Sequence, residues 1–277
     1  MILFQFFQEL KLMIDSHCHL NFENISINFD SIIKRSINNG ISAILSINTN
    51  PKEFKSHYKL IKKYKSLFIS YGLHPTYINS KNIISTNEIK NFSKYERVIG
   101  IGETGLDFFH SLEYKKEQYK SFENHIEACI ETNLPLIIHQ RNCENQIIDI
   151  LSNYKDHALP LVMHCFTGSK KLLYFCLDSN YYISLSGIIT FNNSNELREI
   201  IHNMPLNLLL IETDSPFLTP HPHRGKKPNE PSYVYFIGKY LAEFFNIPIN
   251  EFENITNNNF YSLFKKAIRY KEILYEN

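Results

Sequence analysis

Two histidines flank a cysteine at the end of the first apolar run of the chain, in the order His17, Cys18, His19. In an extended strand, side chains two residues apart point to the same face, so both imidazoles are able to grip one cation from one side. Imidazole nitrogen is a common ligand of Zn²⁺ and related ions. The pair alone is weak evidence, because two structural histidines would give the same pattern.

Four more residues of metal-binding type are found where other apolar runs end. Glu103, His139 and His164 each terminate such a run, and Asp214 lies just beyond another. Structural histidines scattered through a core would not fall repeatedly at strand ends. Imidazoles and carboxylates together match the ligand chemistry of Zn²⁺, Mn²⁺ and similar cations. This joint placement predicts a metal centre whose ligands are His17, His19, Glu103, His139, His164 and Asp214.

The elements that must position these residues alternate along the chain. Short apolar runs are each followed by a longer amphipathic segment, a pattern typical of βαβ units and a parallel sheet. The clearest helix is predicted at Glu113–Thr132, where apolar residues recur at three- and four-residue steps. The predicted strands are Ile14–His17, Ser42–Ile47, Phe68–Tyr71, Val98–Glu103, Leu136–His139, Leu161–His164, Tyr182–Ser186 and Leu208–Glu212.

Eight such units in one chain of this size predict an α/β fold of the (β/α)₈ TIM-barrel type. In a barrel, the carboxyl ends of all strands meet at one face, where active sites are built. An open doubly wound sheet is the alternative, but no Gly-rich dinucleotide fingerprint follows the first strand.

Length and composition fit one globular domain. The chain has 277 residues, of which 43% are hydrophobic, and a formal net charge of +1. Near-neutral charge argues against a protein that coats nucleic acid, although it leaves room for one local phosphate site. We expect residues 13–277 to form a single barrel domain. Residues 1–12, which precede Met13, are interpreted as an N-terminal extension that could stem from an upstream start codon.

The cysteines and the apolar runs bear on localisation. Five cysteines form no CxxC pair, as expected for reduced thiols in the cytoplasm. No run of 18 apolar residues occurs, and the N-terminus lacks the basic region and cleavage site of a signal peptide. We therefore expect a cytoplasmic protein with no membrane segment.

The remaining histidines are assigned by their position along the predicted elements. His74 follows the third strand in Gly72-Leu73-His74-Pro75, on the face of the predicted ligands, and is expected to contact substrate or to support a ligand. His221 and His223 lie in a Pro-rich loop that could approach substrate. Surface positions are expected for His57, His110, His125, His157 and His202.

Five segments of the chain form recognisable motifs: Asp15–Leu20, Gly72–Pro75, Ile101–Asp107, His164–Gly168 and Glu212–Leu218. Together they resemble the TatD family of metal-dependent deoxyribonucleases. The resemblance runs in order from Met13 to the C-terminal helices, and Pro228 interrupts one further signature, Arg224 to Pro231. It implies an amidohydrolase-like TIM barrel with two divalent cations, Zn²⁺, Mn²⁺ or Mg²⁺. His17, His19, Glu103 and Asp214 would then hold one cation, and Glu103 would bridge to a second held by His139 and His164.

The function expected from these residues is hydrolysis of phosphodiesters, with single-stranded DNA as the favoured substrate. Two neighbouring cations polarise a phosphoryl oxygen and activate a water near neutral pH. Asp214 is the expected proton acceptor, and Glu103 would fix the spacing of the ions. Arg224 and Lys226, with Lys227, lie in a loop after the last strand and are predicted to bind substrate phosphate.

Two other functions are compatible with the same residues. One is a different hydrolase on this scaffold, either a deacylase or esterase acting on RNA ends or an amidohydrolase acting on small cyclic amides, since a fold does not fix the substrate. Glu103 stands where many amidohydrolases carry a carboxylated lysine, which favours the phosphodiester. The other is a non-catalytic scaffold, which the complete ligand set disfavours. The identity of the metal, exo- or endonuclease action and the oligomeric state are not determined by the sequence.

Overall fold

Eight parallel strands form the centre of the molecule in a computed structural model that describes residues 13–270. The predicted extension, residues 1–12, lies outside the described residues, as do residues 271–277 at the end of the predicted domain. The strands are β1 (Met13–Cys18), β2 (Ile41–Ser46), β3 (Leu67–Tyr71), β4 (Val98–Asp107), β5 (Leu136–Arg141), β6 (Leu161–Met163), β7 (Tyr182–Leu185) and β8 (Leu209–Ile211).

The strands pair in chain order from β1 to β8, and every pair is parallel. The ends of the sheet approach each other: the Ser16 hydroxyl donates to the carbonyl of Ile211 at 2.8 Å. The Asp214 N–H donates to the carbonyl of His17 at 2.9 Å. This sequential order confirms the predicted barrel, because a doubly wound sheet would place later strands on both sides of β1.

Helices lie between successive strands within residues 13–270. The helix predicted at Glu113–Thr132 begins two residues later than expected and ends as predicted. Its end is set by Asn133, which adopts a left-handed conformation and donates its N–H to the carbonyl of Cys129. The helices are α1 (Glu23–Ser26), α2 (Phe29–Asn38), α3 (Phe54–Ile61), α4 (Thr86–Ser93), α5 (Lys115–Thr132), α6 (Glu144–Ser152), α7 (Lys170–Asp178), α8 (Asn195–Ile201), α9 (Val234–Phe244) and α10 (Ile249–Leu263).

The alternation of side chains along each strand builds two apolar layers. In β5, Leu136 and Ile138 pack outward against the helices, while Ile137 points into the barrel. The interior layer continues onto Phe260 and Phe264, which close the amino-terminal end of the barrel. With that end filled by apolar side chains, the carboxyl ends of the strands are left for polar groups.

Strand β4 runs to Asp107, four residues beyond its predicted end at Glu103. Its register against β5 is irregular between Ile101 and Thr104. Gly102 and Gly105 have φ of +128° and +131°. A Cβ atom at Gly105 would lie 2.1 Å from the carbonyl oxygen of His139. Only glycine allows β4 and β5 to approach this closely, so the irregular segment that carries Glu103 depends on both glycines.

No helix among residues 13–270 is long and apolar enough to cross a membrane.

Candidate metal centre

The six predicted ligands meet at the carboxyl ends of the strands. His17 lies in β1, Glu103 in β4 and His139 in β5. His164 directly follows β6, and Asp214 follows β8 with a left-handed backbone conformation, φ +51°. The structure therefore brings all of these side chains to one end of the barrel, with His19 one residue beyond β1.

A local irregularity directs His17 and His19 into the barrel. Ile14 belongs to the interior layer, so strict alternation would turn His17 outward. Between Asp15 and Cys18, however, β1 contains one residue more than the paired segment of β2. Such a bulge reverses the direction of the side chains that follow. Cys18 consequently packs in the outer layer.

The Glu103 carboxylate lies between two groups of histidines. Its Oε2 atom is 3.5 Å from Nε2 of His17 and 4.0 Å from Nε2 of His19. Its Oε1 atom is 2.7 Å from Nε2 of His164 and 3.1 Å from Nδ1 of His139. One carboxylate thus presents one oxygen to each group, which is the arrangement that a bridging ligand requires.

The first group, His17, His19 and Asp214, has ligand atoms that all lie within 4.8 Å of one another. Asp214 Oδ1 is 3.2 Å from Nε2 of His19 and 3.7 Å from Nε2 of His17. His17 is only 1% exposed, and neither of its ring nitrogens has a hydrogen-bond partner. A buried imidazole without partners is costly. A cation bound by these three residues would satisfy His17, so the residues present fit a metal ion.

The second group consists of His139 and His164, and a carboxylate lies behind each of these two histidines. His139 Nε2 is 3.0 Å from Asp107 Oδ2, and His164 Nδ1 is 3.4 Å from Glu212 Oε1. Glu212 in turn accepts a short hydrogen bond from the Ser184 hydroxyl. A carboxylate at one ring nitrogen orients the imidazole and leaves the other nitrogen for a metal. In both histidines that other nitrogen faces Glu103.

Sequence reasoning assigned no role to Asp107 or Glu212. The alternation of side chains could have identified Glu212, because Leu210 points into the barrel and Glu212, two residues further on, should point the same way. Asp107 carried no such signal, since it lies after the irregular part of β4.

His74 lies against Glu103 as well, with Nε2 3.3 Å from Oε1. Its Nδ1 accepts the backbone N–H of Thr76 at 3.2 Å, so the neutral ring carries its proton on Nε2. Burial lowers the pKa of His74 to about 4, which keeps the ring neutral. Although its atoms are close enough to belong to a metal cluster with Glu103 and His139, this tautomer makes His74 a hydrogen-bond donor rather than a ligand.

The charges of the centre are strongly coupled. Burial alone would raise the pKa of Glu103, but the surrounding imidazoles, His164 foremost, hold it well below its usual range. Burial would likewise lower the pKa of His164, yet Glu103 and Glu212 raise it well above the ordinary value. Glu103 therefore stays ionised and offers a negative charge to a cation.

The predicted surface positions of His57 and His125 are wrong, because both side chains are fully buried. His57 Nε2 is 2.7 Å from the Ser46 hydroxyl, and that hydroxyl also accepts the N–H of Leu20. His125 Nε2 accepts the N–H of Leu73, next to His74. Each histidine thus supports a loop of the centre. By contrast, His110, His157 and His202 are exposed, as expected.

The centre opens into a cavity of about 680 Å³, a size suited to small ligands. Among the described residues, Arg224 and Lys226 do not line it, whereas Arg141 does. The Arg224 guanidinium lies 3.8 Å above the ring of Phe191, and Lys226 Nζ is 3.1 Å from Nδ1 of His223. These contacts hold both cations outside the lining of the cavity, although Phe217 and Leu218 of the same loop belong to it.

Comparisons with known proteins point to one family. A sequence model of the family described as TatD related DNase matches residues 14–265. A metal-dependent hydrolase of Buchnera aphidicola is 42% identical over 263 residues, covering 91% of this chain and 98% of the relative. The 3'-5' ssDNA/RNA exonuclease TatD of Salmonella typhimurium is 29% identical over 234 residues, covering 83% and 90%.

The fold has a close counterpart among solved structures. The TatD homologue YjjV of Escherichia coli superimposes with a TM-score of 0.84 at 27% identity, covering 92% of this chain and 98% of YjjV. A barrel of eight parallel strands, a family match over nearly the whole described chain and histidine–carboxylate groups at the strand ends lead to one conclusion. The chain belongs to the TatD family of metal-dependent hydrolases.

Proposed function

We propose that this protein is a nuclease that hydrolyses phosphodiesters with two divalent cations, and that single-stranded DNA is its favoured substrate. The observation that carries the proposal is the position of Glu103, whose two oxygens face two separate groups of ligands. The name of the Salmonella relative, a 3'-5' ssDNA/RNA exonuclease, supports the same substrate class. The first cation would be held by His17, His19, Asp214 and Glu103, and the second by Glu103, His139 and His164.

When bound, two such cations polarise a phosphoryl oxygen and lower the pKa of a water, which is chemistry suited to a phosphodiester. Zn²⁺, Mn²⁺ and Mg²⁺ are all candidates, because availability selects among them at sites of this kind. The protein's own groups supply the rest. Asp214 contacts His17 and His19 through Oδ1, and we assign to its carboxylate the orientation of the attacking water and the acceptance of its proton. We also assign His74, which lines the cavity beside Glu103, to contact with the substrate.

The test is metal content measured together with hydrolysis of single-stranded DNA, for wild type and Glu103→Gln. Glutamine keeps the size of the side chain but loses the charge that both groups of ligands share. We expect about two ions per chain in wild type, and in the variant fewer ions with a loss of activity of about 10²-fold or more. Glu199→Gln, an exposed substitution on α8, is the matched control and should leave both quantities unchanged. Full activity of Glu103→Gln would refute the proposal.

A substrate panel with the same added cation separates this function from the other hydrolytic reactions. It contains single-stranded DNA, an aminoacyl-RNA and a dihydropyrimidine-type amide. In the part of the chain that the structure describes, no lysine lines the cavity, which argues against an amidohydrolase that bridges its cations with a carboxylated lysine. Ions bound without cleavage of DNA, but with cleavage of an RNA ester or an amide, would replace the nuclease by that activity. Failure to bind any divalent ion would indicate a non-catalytic protein.

A further inference from the structure

Arg141 is an exposed cation at the rim of the metal centre. It ends β5 two residues after His139, and its side chain lines the cavity. The guanidinium lies 3.9 Å above the ring of Phe109, which holds it in place. Among residues 13–270, no carboxylate forms an ion pair with it. A positioned guanidinium without a counter-charge is suited to bind a phosphate.

A second cavity meets the first at this point. It has a volume of about 570 Å³ and shares Gln140, Arg141 and Thr167 with the metal cavity. From there it continues along residues 142–146, at the start of α6. We call this surface, residues 140–146 with Thr167, the exit groove. Its one carboxylate, Glu144, accepts hydrogen bonds from the N–H and the hydroxyl of Ser169 at 2.8 and 2.6 Å. Much of the remaining lining consists of neutral amides.

The opposite rim of the metal cavity is aromatic. Phe22 stacks on the ring of His19 with centroids 4.8 Å apart. Phe217 packs edge-on against Phe22 at 5.9 Å and is 50% exposed. Both rings line the cavity. The exposed ring of Phe217, beside a centre proposed to cleave phosphodiesters, offers a stacking surface for an unpaired base.

We propose that a single strand of nucleic acid crosses the centre from this aromatic rim to the exit groove. The terminal base stacks on Phe217, and Arg141 binds the phosphate next to the scissile one. This inference rests on the proposed function and names the path of its substrate. The path also differs from the predicted contact with Arg224 and Lys226, whose side chains do not line the cavity.

The experiment measures binding, which is independent of hydrolysis. A fluorescein-labelled strand of twelve thymidines with phosphorothioate linkages, which slow cleavage, is titrated with the metal-loaded protein over a range of salt concentrations. We expect Arg141→Gln to raise Kd about tenfold or more, because an ionic hydrogen bond is lost. The slope of log K against log salt should also fall by about 0.7, the value for one phosphate on a single strand. Phe217→Leu should raise Kd about tenfold with an unchanged slope, because only stacking is lost.

Arg269→Gln is the matched control. Arg269 is an exposed arginine in the segment that follows α10, at the end of the barrel opposite the metal centre. Unchanged Kd and slope in Arg141→Gln would overturn the proposal, as would a wild type that does not bind the strand. A weakening in Arg224→Gln alone would place the strand on the other loop and also overturn it. If wild type binds the strand with the expected dependence on Arg141 but cleaves no unmodified DNA, the nuclease function fails and the binding path stands.

Discussion

Asp107→Asn tests whether the carboxylate behind His139 prepares that histidine to bind a cation. Asp107 Oδ1 accepts the backbone N–H groups of Phe109 and His110 at 3.0 and 2.9 Å. Its Oδ2 is 3.0 Å from His139 Nε2. Asparagine keeps the first oxygen, and with it the turn, but replaces the second by an NH₂ group that only donates.

The substitution therefore reverses the hydrogen bond to His139. With an amide donor at Nε2, the imidazole proton moves to Nδ1, the atom that lies 3.1 Å from Glu103 and would bind the second cation. Loss of such a supporting carboxylate typically weakens metal binding by about 10–100-fold. This range corresponds to about 1.4–2.7 kcal/mol. Affinity for the first cation should hardly change, because His17 and His19 do not contact Asp107.

The assay is a competition titration of the metal-free protein against a chromophoric chelator, which resolves two binding steps. Asp149→Asn, on the exposed face of α6, removes the same charge elsewhere and is the control. Equal affinities for both cations in wild type and Asp107→Asn would refute the reasoning. A fall in the unfolding temperature without a change in metal affinity would assign Asp107 to the stability of the turn instead.

Three further substitutions have definite expected outcomes. Asp214→Asn should lower hydrolysis of single-stranded DNA by about 10²–10⁴-fold, and wild-type activity with both ions bound would remove its role as proton acceptor. Burial lowers the pKa of His57 from 6.5 to about 3. As the pH falls below 6.5, His57 therefore becomes protonated in the unfolded chain but stays neutral in the folded chain. The free energy of unfolding consequently decreases as the pH falls. Between pH 6.5 and 5 this decrease is about 2 kcal/mol. In urea unfolding, the free energy of unfolding of His57→Gln should therefore change less between these two pH values than that of wild type. An equal change in both proteins would contradict the prediction. Phe264→Ala, in the apolar end of the barrel, should lower the free energy of unfolding by about 3–5 kcal/mol, and a loss below about 1 kcal/mol would mean that this end is not packed as described.

In the regular strands, the alternation of side chains accounts for the inward direction of two predicted ligands. In β5 and at the end of β6, Ile137 and Val162 point into the barrel, so alternation carries His139 and His164 to the same side. The same rule fails at His17, where only the bulge in β1 restores the inward direction. It also gives no account of Glu103, which lies in the irregular part of β4. A bulge depends on how a strand pairs with its neighbour, and a single sequence does not contain that information.

The sequence by itself determined the barrel and the chemical nature of its centre, because hydrophobic periodicity and residue type are local properties. The tertiary structure alone decided which groups meet. It placed one oxygen of Glu103 toward each group of histidines, buried His57 and His125 beneath the loops of the centre, and put Arg141 rather than Arg224 at the rim of the cavity. Each of these outcomes depends on the path of a loop or the irregularity of a strand, which is set by packing between segments that are distant along the chain.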